Sequence, residues 1–519
     1  MSELERLAGS VLCTGAPLPD SDDAAFERLQ RLGPGAVVLF ARDVASVETT
    51  RSLVQRLRAA LEHDAPLSIC VDQEGGRVAR IGTPHPMPSM MTLGAAGDPV
   101  LAQRAGAAIA ATVGSIGANV DFAPVLDLAL EPESTVIGTR AFGDDPGAVA
   151  ALGAAVVRGL QAAGIVAVVK HFPGHGATAD DSHVALPVID SDLATLRARD
   201  LVPFRAAFAA GARAVMTAHV RVTAFDDERP ATQSPRLLRG LLRDELGFEG
   251  VCFTDCLEMA GAAEPFGGAV RAGVLALEAG ADVLLVSHTL AVAEALRDAL
   301  VAAVCSGDLP RARLEEAAER VRTFRFGHRA APMPDVPTAA ESDTIAREVA
   351  ARGIAIVRGH LRIAPDVPVT IVSFEGASGD GVAQGAAERP SLSAALRRRR
   401  VRSELLRVPL EPDAAMIEQL VAVLEAQRAQ GPRTCIVLAR RAHLYPGQRR
   451  AVDAVLGASP EAFIVSAREP FDVPAFGRAR TVACTFGDES TNIEALAGVL
   501  FGARTADGRI PLAFARVPA

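Results

Sequence analysis

Val166-Ala167-Val168-Val169-Lys170-His171-Phe172-Pro173-Gly174-His175-Gly176 is the stretch that decides the architecture. Its apolar start reads as a buried strand, and the ionisable pair Lys170-His171 stands at the C-terminal end of that strand. Proline and glycine follow at once, which forces irregular backbone and makes the remainder a loop. The same order recurs: Leu67 to Val71 precedes Asp72, and Gly250 to Thr254 leads to Asp255. A (β/α)₈ barrel builds its active site from loops at the C-terminal ends of its strands, so polar groups directly after apolar runs point to one.

Working outward, further apolar runs are Val11 to Cys13, Ala36 to Phe40, Asn119 to Pro124, Ala214 to Thr217 and Asp282 to Val286. Helical stretches separate many of these runs: Ser46 to Glu62, Pro146 to Ala163, Leu193 to Ala210 and Gly267 to Ala279. Continuous apolar runs suit parallel strands buried on both faces, and each return crossing requires a helix. Eight such runs over roughly 320 residues match a (β/α)₈ barrel with insertions. A doubly wound open sheet would show the same alternation; the polar clusters after the strands favour the barrel. A Pro/Ala-rich stretch then breaks the pattern, and the alternation resumes near Val367 to Phe374, Cys435 to Leu438, Phe463 to Ser466 and Thr481 to Thr485. The expected organisation is an α/β chain: a catalytic barrel over 1–329, a linker over 330–342 and a smaller α/β sandwich over 343–519.

Composition narrows the function classes. With 519 residues and 49% apolar content the chain can bury large cores, and its formal net charge of -9 disfavours nucleic acid and anionic membranes as partners. The basic run Arg397 to Arg400 lacks interleaved aromatics and reads as a solvated helix end. Seven cysteines are scattered without a CxxC pair, which suits free thiols in a reducing compartment. The segment Met1 to Ser10 carries early acidic residues and no signal-like apolar core, and no run reaches the length of a membrane span, so a cytoplasmic location is expected. There is no Trp and a single Tyr, Tyr445, which disfavours stacking along a polysaccharide and leaves a small pocket built from polar contacts.

The loop after Lys170-His171 continues to Asp180-Asp181-Ser182-His183. Asp181 and His183 are one residue apart, so their side chains can meet in a turn; a carboxylate on one ring nitrogen frees the other for proton transfer. The rival reading is a metal site of His171, His175, His183 and Asp180, although HxxxH in a loop lacks the fixed geometry of a helical motif. In Phe253-Thr254-Asp255-Cys256-Leu257-Glu258-Met259 the aspartate at the strand tip suits a nucleophile or base, and equally suits an N-cap for a following helix. Asp72 in Val71-Asp72-Gln73-Glu74-Gly75-Gly76-Arg77-Val78 and Arg140 in Val136-Ile137-Gly138-Thr139-Arg140-Ala141-Phe142-Gly143 complete a set able to bind several sugar hydroxyls by charged hydrogen bonds.

KHFPGHG with DSH, preceded by DQEGGRV and followed by TDxLxM, resembles glycoside hydrolase family three, and within it the bacterial β-N-acetylglucosaminidase branch. The similarity spans most of the first 325 residues in the same order, and Glu494 to Leu500 with Gly508 to Leu512 resembles the end of the family's sandwich domain. It implies Asp255 as nucleophile and His183 as acid/base oriented by Asp181, with Asp72, Arg140, Lys170 and His171 binding substrate. It also implies a retaining mechanism through a glycosyl-enzyme, no metal and no organic cofactor, and a small saccharide with a terminal β-linked N-acetylglucosamine as partner, such as a cell-wall fragment. Asp121 stands where the resemblance leads one to expect asparagine, and Cys256 follows the nucleophile where a small or acidic residue is more usual. Two neighbouring activities remain on this scaffold: a phosphorylase, because a neutral histidine repels phosphate less than a glutamate would, and a β-glucosidase, whose branch lacks the DSH loop. From other classes, a nucleotide-binding protein would use Gly376 to Gly385, which misses the third small residue of GxGxxG, and a sugar-binding protein without turnover would not need the nucleophile and acid/base.

Overall fold

Each apolar run becomes one stave of a barrel. The computed structural model describes residues 2–18, 21–62, 65–182, 185–327, 336–364, 366–376 and 391–515. Its first sheet contains β1 (Leu12–Gly15), β2 (Ala36–Leu39), β3 (Ser68–Val71), β4 (Val120–Asp121), β5 (Val166–Phe172), β6 (Ala214–Thr217), β7 (Val251–Phe253) and β8 (Leu284–Val286). The order is β7-β6-β5-β4-β3-β2-β1-β8 with every neighbour parallel. A parallel bridge between Phe253 and Val283, with Thr254 N donating to Val283 O at 2.9 Å, closes the ring. The expected barrel is therefore the observed fold.

Two apolar layers hold it. Cys13, Val38, Cys70, Phe122, Val168, Met216 and Phe253 fill the interior, capped by Val321 and Phe324 from the helix Arg311–Phe326. A second layer packs the outer strand faces on the helices; in Val47–Leu61 the residues Leu53, Val54, Leu57 and Leu61 face inward at helical spacing, and Ser46 caps the start by accepting from Thr49 N.

Three local departures have physical causes. The fourth strand is shorter than expected because the Asn119 side chain takes the Ile69 amide and Leu67 carbonyl, and Pro124 offers no N–H. The helix expected over Leu193 to Ala210 breaks into Leu193–Ala198 and Leu201–Ala209, since Pro203 cannot donate to the Arg199 carbonyl one turn back. Part of the expected linker lies outside the described residues, and its end is helical: Ala339–Gly353 starts behind Thr338, whose hydroxyl accepts from Glu341 N. That helix packs Ile345, Ala346 and Val349 on the barrel and Ala350 on the second core.

The second sheet holds β9 (Ala355–Arg358), β10 (Val369–Glu375), β11 (Ser403–Pro409), β12 (Thr434–Ala439), β13 (Phe463–Ser466) and β14 (Thr481–Cys484). Their order is β9-β14-β13-β12-β10-β11, parallel except for β9. Alternate residues serve two cores: Val372, Phe374, Val437 and Ile464 on one face, Ile371, Ile436, Leu438 and Val465 on the other. Met91, Ala95, Val136, Ile137 and Ala141 of the barrel loops complete the first of these cores. Of the cysteines, Cys305 is exposed and the others are buried, all as free thiols. Among the described residues no helix is long and apolar enough to cross a membrane.

Candidate active site

All eight barrel strands run the same way, so the side chains at their C-terminal ends share one rim. Asp72 follows β3, and the hairpin Gln73–Gly75 with Val78–Ala79 places Glu74 beside it. Asp127 lies beyond β4, Arg140 ends the short turn Gly138–Arg140, and Lys170 and His171 are part of β5 itself. Asp255 follows β7.

These groups form one ladder of charge. Lys170 Nζ donates to Asp72 Oδ1 at 2.7 Å and stands 2.6 Å from Glu74 Oε1. Arg140 grips Glu74 bidentately, Nε to Oε2 and Nη2 to Oε1 at 2.8 Å each, and sends Nη1 to Val136 O at 3.1 Å. Arg140 Nη2 lies 3.4 Å from His171 Nε2, and His171 Nδ1 lies 2.6 Å from Asp127 Oδ2. With Nδ1–H donated to Asp127, Nε2 is left as the ring's acceptor toward Arg140. Asp127 Oδ1 also accepts His175 N at 2.6 Å. Of the sequence-expected binding residues, Asp72, Arg140, Lys170 and His171 are thus brought together.

Burial makes that pairing obligatory. An uncompensated charge away from water costs several kcal/mol, so Lys170 and Arg140 stay in place only because carboxylates face them. Burial alone would push Glu74 up; Arg140 and Lys170 outweigh it and hold its carboxyl far below the ordinary range. Burial would likewise lower Lys170, but Asp72 and Glu74 keep it charged. Asp127 is pushed up by burial and pulled down further by His171 and His175. His175 itself is lowered to about 4, by burial, against the field of Asp127. Within the ladder Asp72 is the open member, its side chain 17% exposed against 1% for Glu74, with Arg80 Nη2 4.0 Å from Oδ2. The arrangement offers hydroxyl groups a charged acceptor backed by cationic donors.

Asp255 is half-buried at the mouth, and its Oδ1 accepts Cys256 N at 2.7 Å. The helix beyond it begins at Ala260 with Met259 in the cap position, so the N-cap reading of Asp255 does not hold. The backbone here is pinned from the side: His219 Nε2 donates to Cys256 O at 3.0 Å, and its Nδ1 meets Thr232 Oγ1 at 2.8 Å. Burial pushes the Cys256 thiol up to about 11, and it contacts Ser287 Oγ at 2.9 Å. Asp181 is half-buried, and its neighbour Ser182 is held through Oγ to His175 Nε2 at 3.2 Å and through its carbonyl to Gly261 N at 3.1 Å. His183 lies outside the described residues. The metal reading of His171, His175, His183 and Asp180 meets competition: His171 is committed to Asp127 and His175 to Ser182. Among the described residues no group of His, Cys, Asp and Glu is arranged to hold a metal ion.

Glu74, Asp127, Arg80 and His219 had no role in the sequence reading. Glu74 lies inside a stretch already singled out and Asp127 three residues past the run Asn119 to Pro124, so an acid near a strand end was the available signal. Arg80 and His219 carry none, because their partners become neighbours only through folding.

A closed barrel with paired ions, an open carboxylate and a further aspartate on one rim suits an enzyme of the glycoside hydrolase class, whose chemistry uses carboxylates at such a site. The model of the glycosyl hydrolase family 3 N-terminal domain matches residues 10–324, and the chain belongs to glycoside hydrolase family 3. It is 46% identical over 276 residues to a β-hexosaminidase of Stenotrophomonas maltophilia, covering 52% of this chain and 80% of that one. A β-hexosaminidase of Methylococcus capsulatus is 42% identical over 270 residues, covering 51% and 79%. The solved structure of a family 3 β-N-acetylglucosaminidase from Paenibacillus superposes with a TM-score of 0.89 at 32% identity, covering 99% of both chains. A β-glucoside phosphorylase at 22% identity and a TM-score of 0.80 shares the fold alone.

Proposed function

We propose that the chain is a retaining, exo-acting β-N-acetylglucosaminidase that releases terminal N-acetylglucosamine from short β-glycosides. The observation that carries this reading is the buried Lys170–Glu74–Arg140 cluster with Asp72 as its open member, on the same rim as Asp255. The names of the Stenotrophomonas and Paenibacillus relatives support the sugar. Asp72, Arg140, Lys170 and His171 bind the terminal sugar. An Asp255 carboxylate oxygen attacks the anomeric carbon while the glycosidic C–O bond breaks, and His183, oriented by Asp181, protonates the departing oxygen. Water then gives its proton to His183 and its oxygen to the anomeric carbon, freeing Asp255; two inversions give net retention. A histidine with an unperturbed pKa of about 6.5 suits both directions of transfer near neutral pH. Every reacting group of this scheme lies within the barrel expected over 1–329. A cytoplasmic role on imported cell-wall fragments follows from the family resemblance and the expected location.

The test is turnover of a chromogenic β-N-acetylglucosaminide beside the matching β-glucoside, with and without inorganic phosphate. Selective hydrolysis insensitive to phosphate is expected. Acceleration by phosphate with release of the sugar 1-phosphate would make the enzyme a phosphorylase, and preference for the glucoside would place it in the other branch.

A further inference from the structure

In an open parallel α/β sheet the crevice beyond the strands' carboxyl ends, where the strand order reverses, is the usual ligand site. The second sheet reverses at β10, which is flanked by β11 on one side and β12 on the other. Beside that point, the carboxyl ends of β12 and β13 meet a piece of the barrel, the segment running from Pro132 to Arg140. Arg441, just after β12, and Glu469, just after β13, form a buried pair there, with Nε to Oε2 and Nη2 to Oε1 both 3.2 Å. Burial would push Glu469 up, but Arg468, Arg441 and Arg77 outweigh it and keep it ionised.

This pair grips the segment at its turn. Gly138, with φ +45°, opens the turn that ends in Arg140, and a Cβ there would stand 2.7 Å from Glu469 Oε1 and 3.1 Å from its Cγ. Arg441 Nη2 reaches Thr135 O at 3.4 Å. Two residues along, His443 Nε2 donates to Pro132 O at 2.9 Å while Asp472 holds its Nδ1 at 2.7 Å. From the barrel side, Arg77 donates to Thr135 O at 2.9 Å and Val136 O at 2.7 Å, and Val136 O also receives Arg140 Nη1. The backbone that carries Arg140 is therefore clamped between the barrel and the carboxyl edge of the second sheet.

We infer that Glu469 and Arg441 are positioning residues for Arg140: the second domain sets how the barrel grips the sugar without touching it. The inference rests on the sugar-binding role proposed above for Arg140. A displacement near 1 Å at a substrate-holding group can cost about 100-fold in rate, so a glutamate against the turn matters although it meets no substrate.

The experiment is a double-mutant cycle on the chromogenic β-N-acetylglucosaminide, with kcat, KM and melting temperature recorded for Glu469→Gln, Arg140→Lys and the double variant. Glu469→Gln is expected to lower kcat/KM roughly 10- to 100-fold, and to worsen Arg140→Lys by less than about 3-fold, because residues acting through one another are not additive. A merely structural role would lower stability and give additive losses. Additive losses, or unchanged kcat/KM in a folded Glu469→Gln, would overturn the inference while wild-type turnover keeps the functional reading intact. Absence of wild-type turnover overturns both. Should Glu469→Gln unfold below the assay temperature, His443→Ala decides: loss of kcat/KM that is not additive with Arg140→Lys supports the clamp, and full activity or additive loss refutes it.

Discussion

Asp121 has 0% exposure and sits where asparagine was expected. Its Oδ1 accepts Gln73 N at 2.9 Å, and its Oδ2 has no hydrogen-bond partner. An ionised carboxylate with a bare buried oxygen is costly, and burial pushes this carboxyl up to about 8 even though the Gln73 amide and Lys170 pull it down. In the unfolded chain an aspartate titrates near about 3.9, so the folded pKa is the higher one and the native state holds the proton more tightly. The stabilisation is complete below about pH 3.9, shrinks as pH rises, and is lost as pH passes through the folded value. At pH 7 the loss spans about 3 pH units at about 1.4 kcal/mol each, or about 4 kcal/mol. Asp121→Asn keeps the acceptor for Gln73 and cannot titrate. The stability of the variant relative to wild type should therefore grow by about 1.4 kcal/mol per pH unit between pH 5 and 7. At about 2 °C per kcal/mol for large domains, the gap in melting temperature widens by about 5 °C across that window. With no Trp and one Tyr, the melting is followed by far-UV circular dichroism. A gap that does not change between pH 5 and 7 would mean that Asp121 is ionised in the native state, and the reasoning from burial would be wrong.

If Asp255 is the nucleophile, a 2-fluoro or 5-fluoro mechanism-based sugar labels the peptide carrying it and Asp255→Asn abolishes labelling; a label on another residue refutes the assignment. His183→Ala should slow glycosides with poor leaving groups far more than activated aryl glycosides, and equal losses would remove His183 from the acid/base role. Glu74→Gln leaves Lys170 and Arg140 buried with one carboxylate fewer, which costs about 3–5 kcal/mol; an unchanged melting temperature would contradict the pairing argument. Dialysis against a chelator should leave turnover unchanged, since the scheme uses only carboxylates and a histidine, and recovery dependent on added metal would refute it.

The eight staves were legible because strands buried on both faces are mostly apolar, so each appears as a largely apolar run, with Asp121 in β4 and Lys170 and His171 in β5 as paired polar exceptions. Their ends were less so: nothing in Asn119 announces that its amide will replace strand hydrogen bonds with Ile69 and Leu67. Four of the second sheet's six strands were visible. β11 is an edge strand, and with exposed Glu404 and Arg407 on either side of Leu405 and Leu406 it offers no long apolar run to find. β9 is short and ends in Arg358 beside β14. At the site, Asp72 stood out because it follows β3 directly and Lys170 and His171 because they lie at the end of β5, whereas Arg140 was found on a glycine-flanked loop. Arg441 did not, since its partner Thr135 is 306 residues away in sequence and no local pattern encodes that meeting.

The ladder on the rim divides its work by burial. Glu74 engages both oxygens with Arg140 and Lys170 while almost fully buried, so it fixes two cations. Asp72 accepts one bond from the same lysine, yet its second oxygen keeps a looser contact with Arg80 at the open side. The cations are thereby oriented before any substrate arrives, and a hydroxyl entering beside Asp72 meets a charged acceptor whose geometry is already set. Because the ordering cost falls on folding, the proposed mechanism would have the binding energy of a single sugar ring left for the reaction. On the proposed reading, a site without tryptophan would hold one monosaccharide by replacing stacking area with a few strong, prepaired hydrogen bonds.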